Sequence, residues 1–487
     1  MGEQQWNGPL ERLDECRLRI PREYKPGMKV DGIIYADDNL MADLRKDQAP
    51  EQVANVAFLP GIQVASLAMP DIHWGYGFPI GGVAATDPEE GGVVSPGGVG
   101  YDINCGVRLI RTNLELDDVR PRIQELVGAL FRDIPCGVGR EGSIRFTPQE
   151  EKHILEQGAA WVVRRGYGRP EDLERTESGG CLEGADAGAV SDRAMERGRG
   201  QVGTLGSGNH FLEVQVVDEI YDPTVAEVFG LHRGQVTVMI HSGSRGLGYE
   251  ICDNYIQKLQ DVPRKYGIEL PDRQLVCAPV RSPEGARYLA AMRCAANYAW
   301  ANRQVLMHLM RGIFEHFFKM SAERLGLELV YDVAHNIAKL ERHVVNGRER
   351  ELCVHRKGAT RAFPAGHPEV PEAYRSVGQP VLIPGDMGRY SFLLVGQPRA
   401  MELTFGSACH GAGRLLSRTA AIKAARGRSI KKELQSQGIY ALARGRHGLD
   451  EEQPAAYKDV SNVVEVVHRA GLARKVCRMR PLGVIKG

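Results

Sequence analysis

Hydrophobic and polar positions along the chain fall into two kinds of pattern. From Pro283 to Leu327 the apolar residues recur at helical spacing with Ala-rich filler, notably ARYLAAMRCAANYAWANRQVLMHLMRGIFEHFF, which predicts one long buried helix or a helical pair. FLEVQVV, GQVTVMIHSGSRG, LELVYDVAHN and QPVLIPGDMGRYSFLLVG are instead short β-branched and apolar runs, most of them meeting Gly, His or Asn clusters. They read as strands that deliver polar residues to loop mouths. Strands and helices are interspersed without a regular βαβ rhythm, no GxGxxG follows a strand and opens a helix, and no internal repeat is present. The expectation is an α+β fold: a single large domain over residues 1–487, with mixed β-sheets lining a central cleft and helices outside. Residues 151–203 are polar, Gly-rich and charged, and are expected to form a peripheral elaboration. No window approaches the ~18 uncharged apolar residues that a membrane span needs.

Composition changes this picture only locally. The 62 Lys+Arg balance 61 Asp+Glu, so no global charge selects nucleic acid or membrane, and a polyanion must be met by a patch. Residues 401–487 supply one, with 16 Lys+Arg against 7 Asp+Glu, a local excess of 16 − 7 = +9. Glycine is the compositional outlier at 57 residues, many more than the ~7% typical of globular chains, so many turns need positive φ or close approach. The 10 cysteines are scattered with no CxxC pair and no apolar signal segment ahead of them; a reduced, cytoplasmic protein without a Cys₄ zinc module is expected.

Six segments, most of them Gly-rich, each carry a residue able to do chemistry. They are MPDIHWGYGFPIGG (Asp71, His73), GGVGYDINCGVRL (Asp102, Cys105), GTLGSGNHFLEV (Asn209, His210, Glu213), MIHSGSRGLG (His241), YDVAHNIAKL (His335) and TFGSACHGAGRLLSR (His410). Taken singly, a histidine at a strand end is more often a hydrogen-bonded core residue than a ligand. Together, three histidines beside small or amide residues and a Cys–Asp pair form a mixed, sequence-distant set of the kind that builds catalytic metal sites. Thiolate and imidazole suit Zn²⁺, Co²⁺ or Mn²⁺ alike. His410 stands before a Gly-Ala-Gly turn whose backbone N–H groups are expected to form an anion nest, with Arg414 as a phosphate clamp and a helix read directly after it. A histidine beside a phosphate cradle is a candidate nucleophile at phosphorus. RKGATRAFP (Arg356, Lys357, Arg361), PGDMGRYS (Asp386, Ser391), AYKDV (Tyr457, Lys458) and Lys486 near the C-terminus also suit a nucleotide.

These motifs, in this order and together with RPLGVIKG at the end of the chain, resemble the RtcB family of GTP-dependent RNA ligases. The resemblance runs from about residue 25 to the last residue. It implies that His410 is guanylylated by GTP, that the GMP passes to an RNA 3′-phosphate, and that a 5′-hydroxyl end displaces it. It implies two Mn²⁺ ions held by Asp102, Cys105, His210, His241 and His335, with Cys105 bridging and Asp71 as a support near the metals. It further implies guanylate contacts from Asn209, Phe211, Glu213, Ser391, Gly411, Ala412, Gly413, Tyr457 and Lys486, and RNA phosphate contacts from Arg245 and Arg414. RNA is the implied partner, with an archease-type activator beside it and no membrane. One departure stands out: the family commonly has Ser in the Pro-Gly-Ser-Met-Gly turn, and this chain has Asp386. Three alternatives to the ligase stay open at this level: a dinuclear phosphoester hydrolase, a 3′-phosphate capping enzyme acting on RNA or DNA, and a non-enzymatic RNA-binding protein that keeps the fold.

Overall fold

The strand-like runs assemble into two large, mostly antiparallel sheets in a computed structural model that describes residues 5–445 and 447–487. The first sheet has seven strands in the spatial order Glu11–Asp14, Arg17–Ile20, Asp31–Tyr35, Ala65–His73, Ile80–Thr86, Arg348–Lys357 and Asn336–Val345. Its last strand alternates: Lys339, Glu341, His343 and Val345 point inward while Leu340, Arg342 and Val344 face water, the period of a strand with one covered face.

The second sheet runs Glu328–Ala334, Gly106–Glu115, Gln235–Ser242, Phe211–Ile220, Ala473–Lys486, Ser391–Gly396 and Pro380–Ile383. Tyr440–Ala443 adds to Ala473–Lys486 in parallel as its eighth strand. Every residue of Gln235–Ser242 is buried, as its unbroken apolar run requires of a central strand. All four strand-like runs of the sequence are strands here.

The Ala-rich segment is a single helix of 36 residues, Pro283–Phe318. Ser282 caps it by accepting the Gly285 N–H, Pro283 occupies the first turn, and Lys319 ends it in the left-handed region at φ 54°. Helix Pro148–Arg164 packs along it. Gly158 interrupts that second helix at φ 56°, where a Cβ would stand 2.2 Å from the Gly180 carbonyl oxygen, so only glycine fits.

The segment 151–203 is not peripheral. Ile154, Leu155, Ala159 and Val162 belong to the core that includes the long helix. Its buried acids are also tied in: Asp172 pairs with Arg311 at 2.7 Å, Glu177 pairs with Lys339, and Glu177 Oε2 accepts the Ala334 N–H at 2.8 Å. Most of the stretch's other charged residues face water, so it has a solvated outer face and an inner one tied into the core. Among the described residues, no helix is long and apolar enough to cross a membrane.

Candidate active site

The register of the second sheet brings the candidate ligands together. Ala334 lies opposite Gly106, Gly106 opposite Ser242, and Phe211 opposite His241. Cys105 precedes one strand, His335 follows its neighbour, His241 is near the end of the next and His210 precedes the fourth. In an antiparallel sheet such starts and ends share one edge, so four residues spread over 230 positions meet. The His335 N–H to Cys105 carbonyl bond of 2.9 Å closes the edge.

At that edge the donor atoms converge on Cys105. Its Sγ lies 3.3 Å from His210 Nε2 and 3.2 Å from His241 Nε2. His241 Nε2 is 3.3 Å from His335 Nε2, and His210 Nε2 is 2.8 Å from Asp102 Oδ2. Two donor triads result, Cys105–His241–His335 and Asp102–Cys105–His210, sharing the one cysteine. Two donors on one tetrahedral ion with bonds of ~2.0–2.3 Å stand about 3.3–3.6 Å apart, close to the spacing found. Burial disfavours the cationic form of His241 and His335 and holds both pKa values well below that of free imidazole, which keeps them neutral as ligands must be. The residues therefore fit a pair of divalent ions with a bridging thiolate. His210 adds a condition. Its Nδ1 lies 2.9 Å from Arg245 Nη1, and a guanidinium can only donate, so the proton sits on Nε2 beside Asp102. Coordination through Nε2 requires the proton to move to Nδ1 and the Arg245 contact to open.

His410 is delivered from another direction. The short strand Ser407–Cys409 pairs with Ala359–Arg361, and the Ala359 N–H bonds the His335 carbonyl at 3.1 Å. The His410 ring then stands 4.9 Å from that of His335, centroid to centroid. Asp71, expected as a support near the metals, sits beneath His410 instead: its Oδ2 accepts the backbone N–H groups of His410 at 3.0 Å and Gly411 at 3.1 Å. Those two donors are thus already taken, and the expected anion nest there is corrected to a carboxylate seat. His410 Nδ1 lies 2.5 Å from the same Oδ2, though out of hydrogen-bond alignment. A lone pair facing a carboxylate at that range would be repelled, so Nδ1 bears the proton and Nε2 the lone pair. Burial alone would raise the pKa of Asp71, but the His410 ring and backbone donors outweigh it and hold the carboxyl below its ordinary value. Gly413 at φ 77° passes so close that a Cβ would stand 2.4 Å from the Asp71 carbonyl oxygen.

A cavity opens beside these groups, and most residues implicated by the sequence line it: Asp102, Cys105, Asn209, Phe211, Glu213, His241, His335, His410, Gly411, Ala412, Gly413, Arg414, Tyr457 and Lys486. Asp71, His210, Arg245 and Ser391 are not on its wall. Ser391 stands behind Glu213, its Oγ accepting from Gln215 Nε2 at 3.1 Å while the same amide donates to Glu213 Oε2 at 2.8 Å. Burial pushes the Glu213 carboxyl up to about 7, against the pull of Gln215 and Lys486. Lys486 Nζ reaches the Gly208 carbonyl at 3.3 Å and lies 5.6 Å from the Phe211 ring centre, because the strand register places Lys486 opposite Phe211. Asp386 also lines the cavity; burial raises its pKa to about 6, with Arg389 and the Gly388 N–H pulling the other way.

Several expectations are corrected here. Arg414 is not a free clamp: its guanidinium bonds Leu416 O at 3.1 Å, Glu451 O at 2.8 Å, Glu452 Oε1 at 3.0 Å and Tyr457 Oη at 2.9 Å. The helix read directly after the His410 turn is two short ones, Arg418–Ala424 and Ile430–Ser436, separated by Gly427 at φ 78°. Arg356 pairs with buried Glu341 at 2.6 Å, Arg361 bonds Gln379 at 2.8 Å, Lys357 bonds Phe78 O at 3.0 Å, and Lys458 bonds Ile72 O at 2.7 Å. These four cations hold the protein together rather than a nucleotide.

Three lining residues escaped the sequence reading. Asn336 donates to the Asp102 carbonyl at 3.0 Å and accepts the Gly358 N–H at 2.8 Å, tying two site loops; its place beside His335 was the available signal. Glu452, almost fully buried, gathers Arg414, Tyr457 and Lys486, and nothing in its local sequence marks it. Arg418 lines the cavity with a largely exposed side chain whose Nε is 3.8 Å from Glu452 Oε1, a looser tie than the four hydrogen bonds that hold Arg414.

Comparison with known proteins gives this geometry a family. The family model described as tRNA-splicing ligase RtcB matches residues 52–487. The chain is 56% identical over 479 residues to the tRNA-splicing ligase RtcB of Thermococcus kodakarensis, covering 98% of this chain and 99% of that protein. It is 57% identical over 482 residues to the one of Archaeoglobus fulgidus, covering 99% of each. Identity is 52% over 438 residues to the RNA-splicing ligase RtcB of Mycobacterium tuberculosis, 90% of this chain and 100% of that one. The shared-cysteine metal edge and the carboxylate-seated histidine thus stand in a chain that belongs to the RtcB family of tRNA-splicing ligases.

Proposed function

We propose that this chain is a GTP- and manganese-dependent RNA ligase. It joins an RNA 3′-phosphate, or a 2′,3′-cyclic phosphate opened first, to a 5′-hydroxyl end through a guanylylated His410, in tRNA splicing or RNA repair. The observation that carries this reading is the placement of His410. Its Nδ1 is held at Asp71, its Nε2 has no partner among the described residues, and its ring stands against the His335 ring on the cavity wall. An imidazole so oriented is a nucleophile with its tautomer set.

In the first step the Nε2 lone pair attacks the α-phosphorus of GTP, the nitrogen–phosphorus bond forms, and pyrophosphate leaves. Asp71 steadies the positive charge that the ring gains. An oxygen of the RNA 3′-phosphate next attacks the guanylyl phosphorus and His410 departs, leaving RNA(3′)pp(5′)G. The 5′-hydroxyl then attacks the RNA phosphate, losing its proton as GMP leaves. A pair of divalent ions, when bound by the two triads, supplies charge neutralisation at the phosphate oxygens. Glu213 accepts from guanine N1–H and N2–H, donors that adenine does not present in that pattern. Tyr457, Phe211 and Lys486 close around the guanylate. RNA is the partner in this reading, with an archease-type activator as its accessory.

Incubation with GTP labelled in the α-phosphate tests the proposal. A covalent adduct is expected on the native chain and none on His410→Ala. Release of phosphate from RNA ends without GTP would point instead to a dinuclear hydrolase. Joining of 3′-hydroxyl to 5′-phosphate ends with equal efficiency would show that His410 serves other chemistry.

A further inference from the structure

The exposed aromatic side chains among the described residues are few: Trp74, Tyr249 and Tyr266. Tyr249 is half exposed, and its hydroxyl has no hydrogen-bond partner among the described residues. It is nevertheless held in place from below. Its ring stacks on Tyr101 with centroids 4.8 Å apart and planes 26° apart, and Tyr101 meets Tyr76 edge-on at 5.8 Å. This ladder is attached to the site, since Tyr101 adjoins Asp102.

Tyr249 is also fixed relative to a cation. It lies one helical turn after Arg245, which opens helix Arg245–Lys258 at φ 55°, so the two backbones stand about 6 Å apart along the axis. Arg245 itself touches His210 at the metal edge. On the neighbouring helix Asp192–Gly198, exposed Arg197 lines the same surface groove as Tyr249 and has no ion-pair partner among the described residues. Farther along, Arg193 is paired with Glu250 at 3.0 Å and the carboxylate of Asp253 accepts from Gln257 Nε2 at 2.8 Å. Charge therefore favours a phosphate chain near Arg245 and Arg197 and disfavours one lying deeper in the groove.

We propose that Tyr249 is a stacking platform for an unpaired base of the RNA strand whose end enters the cavity. The proposal rests on the ligase reading and adds a subsite to it. An aromatic face within one helical turn of a phosphate-seeking arginine matches the alternation of base and phosphate in a single strand. A ring already stacked on its inner face loses little freedom on taking a base on the outer one. Every base offers a π face, so such a platform strengthens binding without selecting sequence, as an enzyme that joins varied ends requires.

The test uses the full-length chain and a short single-stranded RNA ending in a 3′-phosphate, labelled at its far end and followed by fluorescence anisotropy. Each base near the 3′ end is removed in turn to leave an abasic site. Tyr249→Ala is expected to weaken binding of the intact RNA about ten- to hundredfold, and Tyr249→Phe, which keeps the ring, to retain native affinity. One abasic position should weaken binding to the native chain but not to Tyr249→Ala. The proposal is overturned if no abasic position costs affinity, or if each costs the same in both proteins. Circular dichroism of Tyr249→Ala separates a lost contact from a lost fold. Guanylylation of the native chain without RNA reports on the ligase reading separately. An adduct without abasic coupling removes the platform alone, while coupling without an adduct removes the ligase chemistry and leaves the platform.

Discussion

At the scale of single residues the site turns on Cys105 and Glu213, one by its place between two donor triads and the other by burial. Cys105 is the only residue common to both donor triads, so Cys105→Ala strips each of a ligand at once. Elemental analysis of the purified variant is expected to show most of the divalent metal lost, together with activity; a cysteine serving packing alone would leave the metal content unchanged. Glu213 carries a pH signature. Its ordinary pKa is 4.5 and burial lifts it to about 7 in the folded chain. Between those values the unfolded chain has ionised while the folded one keeps its proton, so the contribution of Glu213 to stability is full below pH 4.5 and is lost as pH rises through 7. The whole effect is roughly 3 kcal/mol. Glu213→Gln is expected to flatten this part of the stability profile in the absence of nucleotide, measured by denaturant midpoints across the window. Guanine should act with the opposite sign, since its two N–H groups favour the carboxylate: GTP affinity of the native chain should climb through pH 7 and that of the variant should not.

At the scale of elements the long helix Pro283–Phe318 does more than fill space, because it carries Arg303 to the back of the metal edge. The buried guanidinium donates to the carbonyls of Asn104 at 2.7 Å and Ser242 at 2.9 Å, the residues adjoining Cys105 and His241, and is itself clasped by Asp332 at 2.8 Å. Arg303→Met leaves these acceptors without a donor in a dry interior and is expected to cost about 3–5 kcal/mol in urea unfolding, with metal content falling as the two loops loosen. Arg303→Lys keeps the charge but not the fork, and should recover only part of both. The sequence announced the helix through its apolar spacing, and it singled out the residues whose donor atoms converge at the sheet edge because small residues surround each at a strand end. It did not reveal which cations face inward. Arg356, Lys357, Arg361 and Lys458 look like nucleotide ligands when read along the chain, yet each meets an acceptor contributed by a distant strand or loop, and pairing across a sheet leaves no local mark. The same blindness made the polar stretch 151–203 look peripheral, although Asp172 and Glu177 are paired in the core. The seat of His410 was hidden for a related reason: Asp71 is 339 residues away, and neither segment names the other.

At the scale of the whole molecule the cavity is a joint product of nearly the entire chain, lined by His73 and Ile80 of the first sheet and, at the far end of the sequence, by Lys486 of the second. A terminal lysine is ordinarily frayed and solvated. Lys486 is buried because Ala473–Lys486 runs through the interior of the second sheet between Phe211–Ile220 and Ser391–Gly396, with Leu482, Val484 and Ile485 fixing the strand up to its end. The anchoring and the chemistry are therefore separable. Removing residues 486 and 487 takes away the cavity ammonium but leaves the apolar strand that holds the sheet, so the melting temperature should fall only slightly. The nucleotide should feel it more, because the amine sits on the wall beside Phe211; burial holds its pKa below the ordinary value, with Glu452 and Glu213 pulling the other way. Charge-assisted contacts of this kind contribute about 1.5–3 kcal/mol, or roughly ten- to hundredfold in affinity. The expected outcome is a truncated chain that folds, keeps its metal, and forms the His410 adduct only at GTP concentrations raised by that factor. Guanylylation of the truncated chain at native GTP concentrations would place Lys486 outside the nucleotide contacts and leave its burial to packing alone.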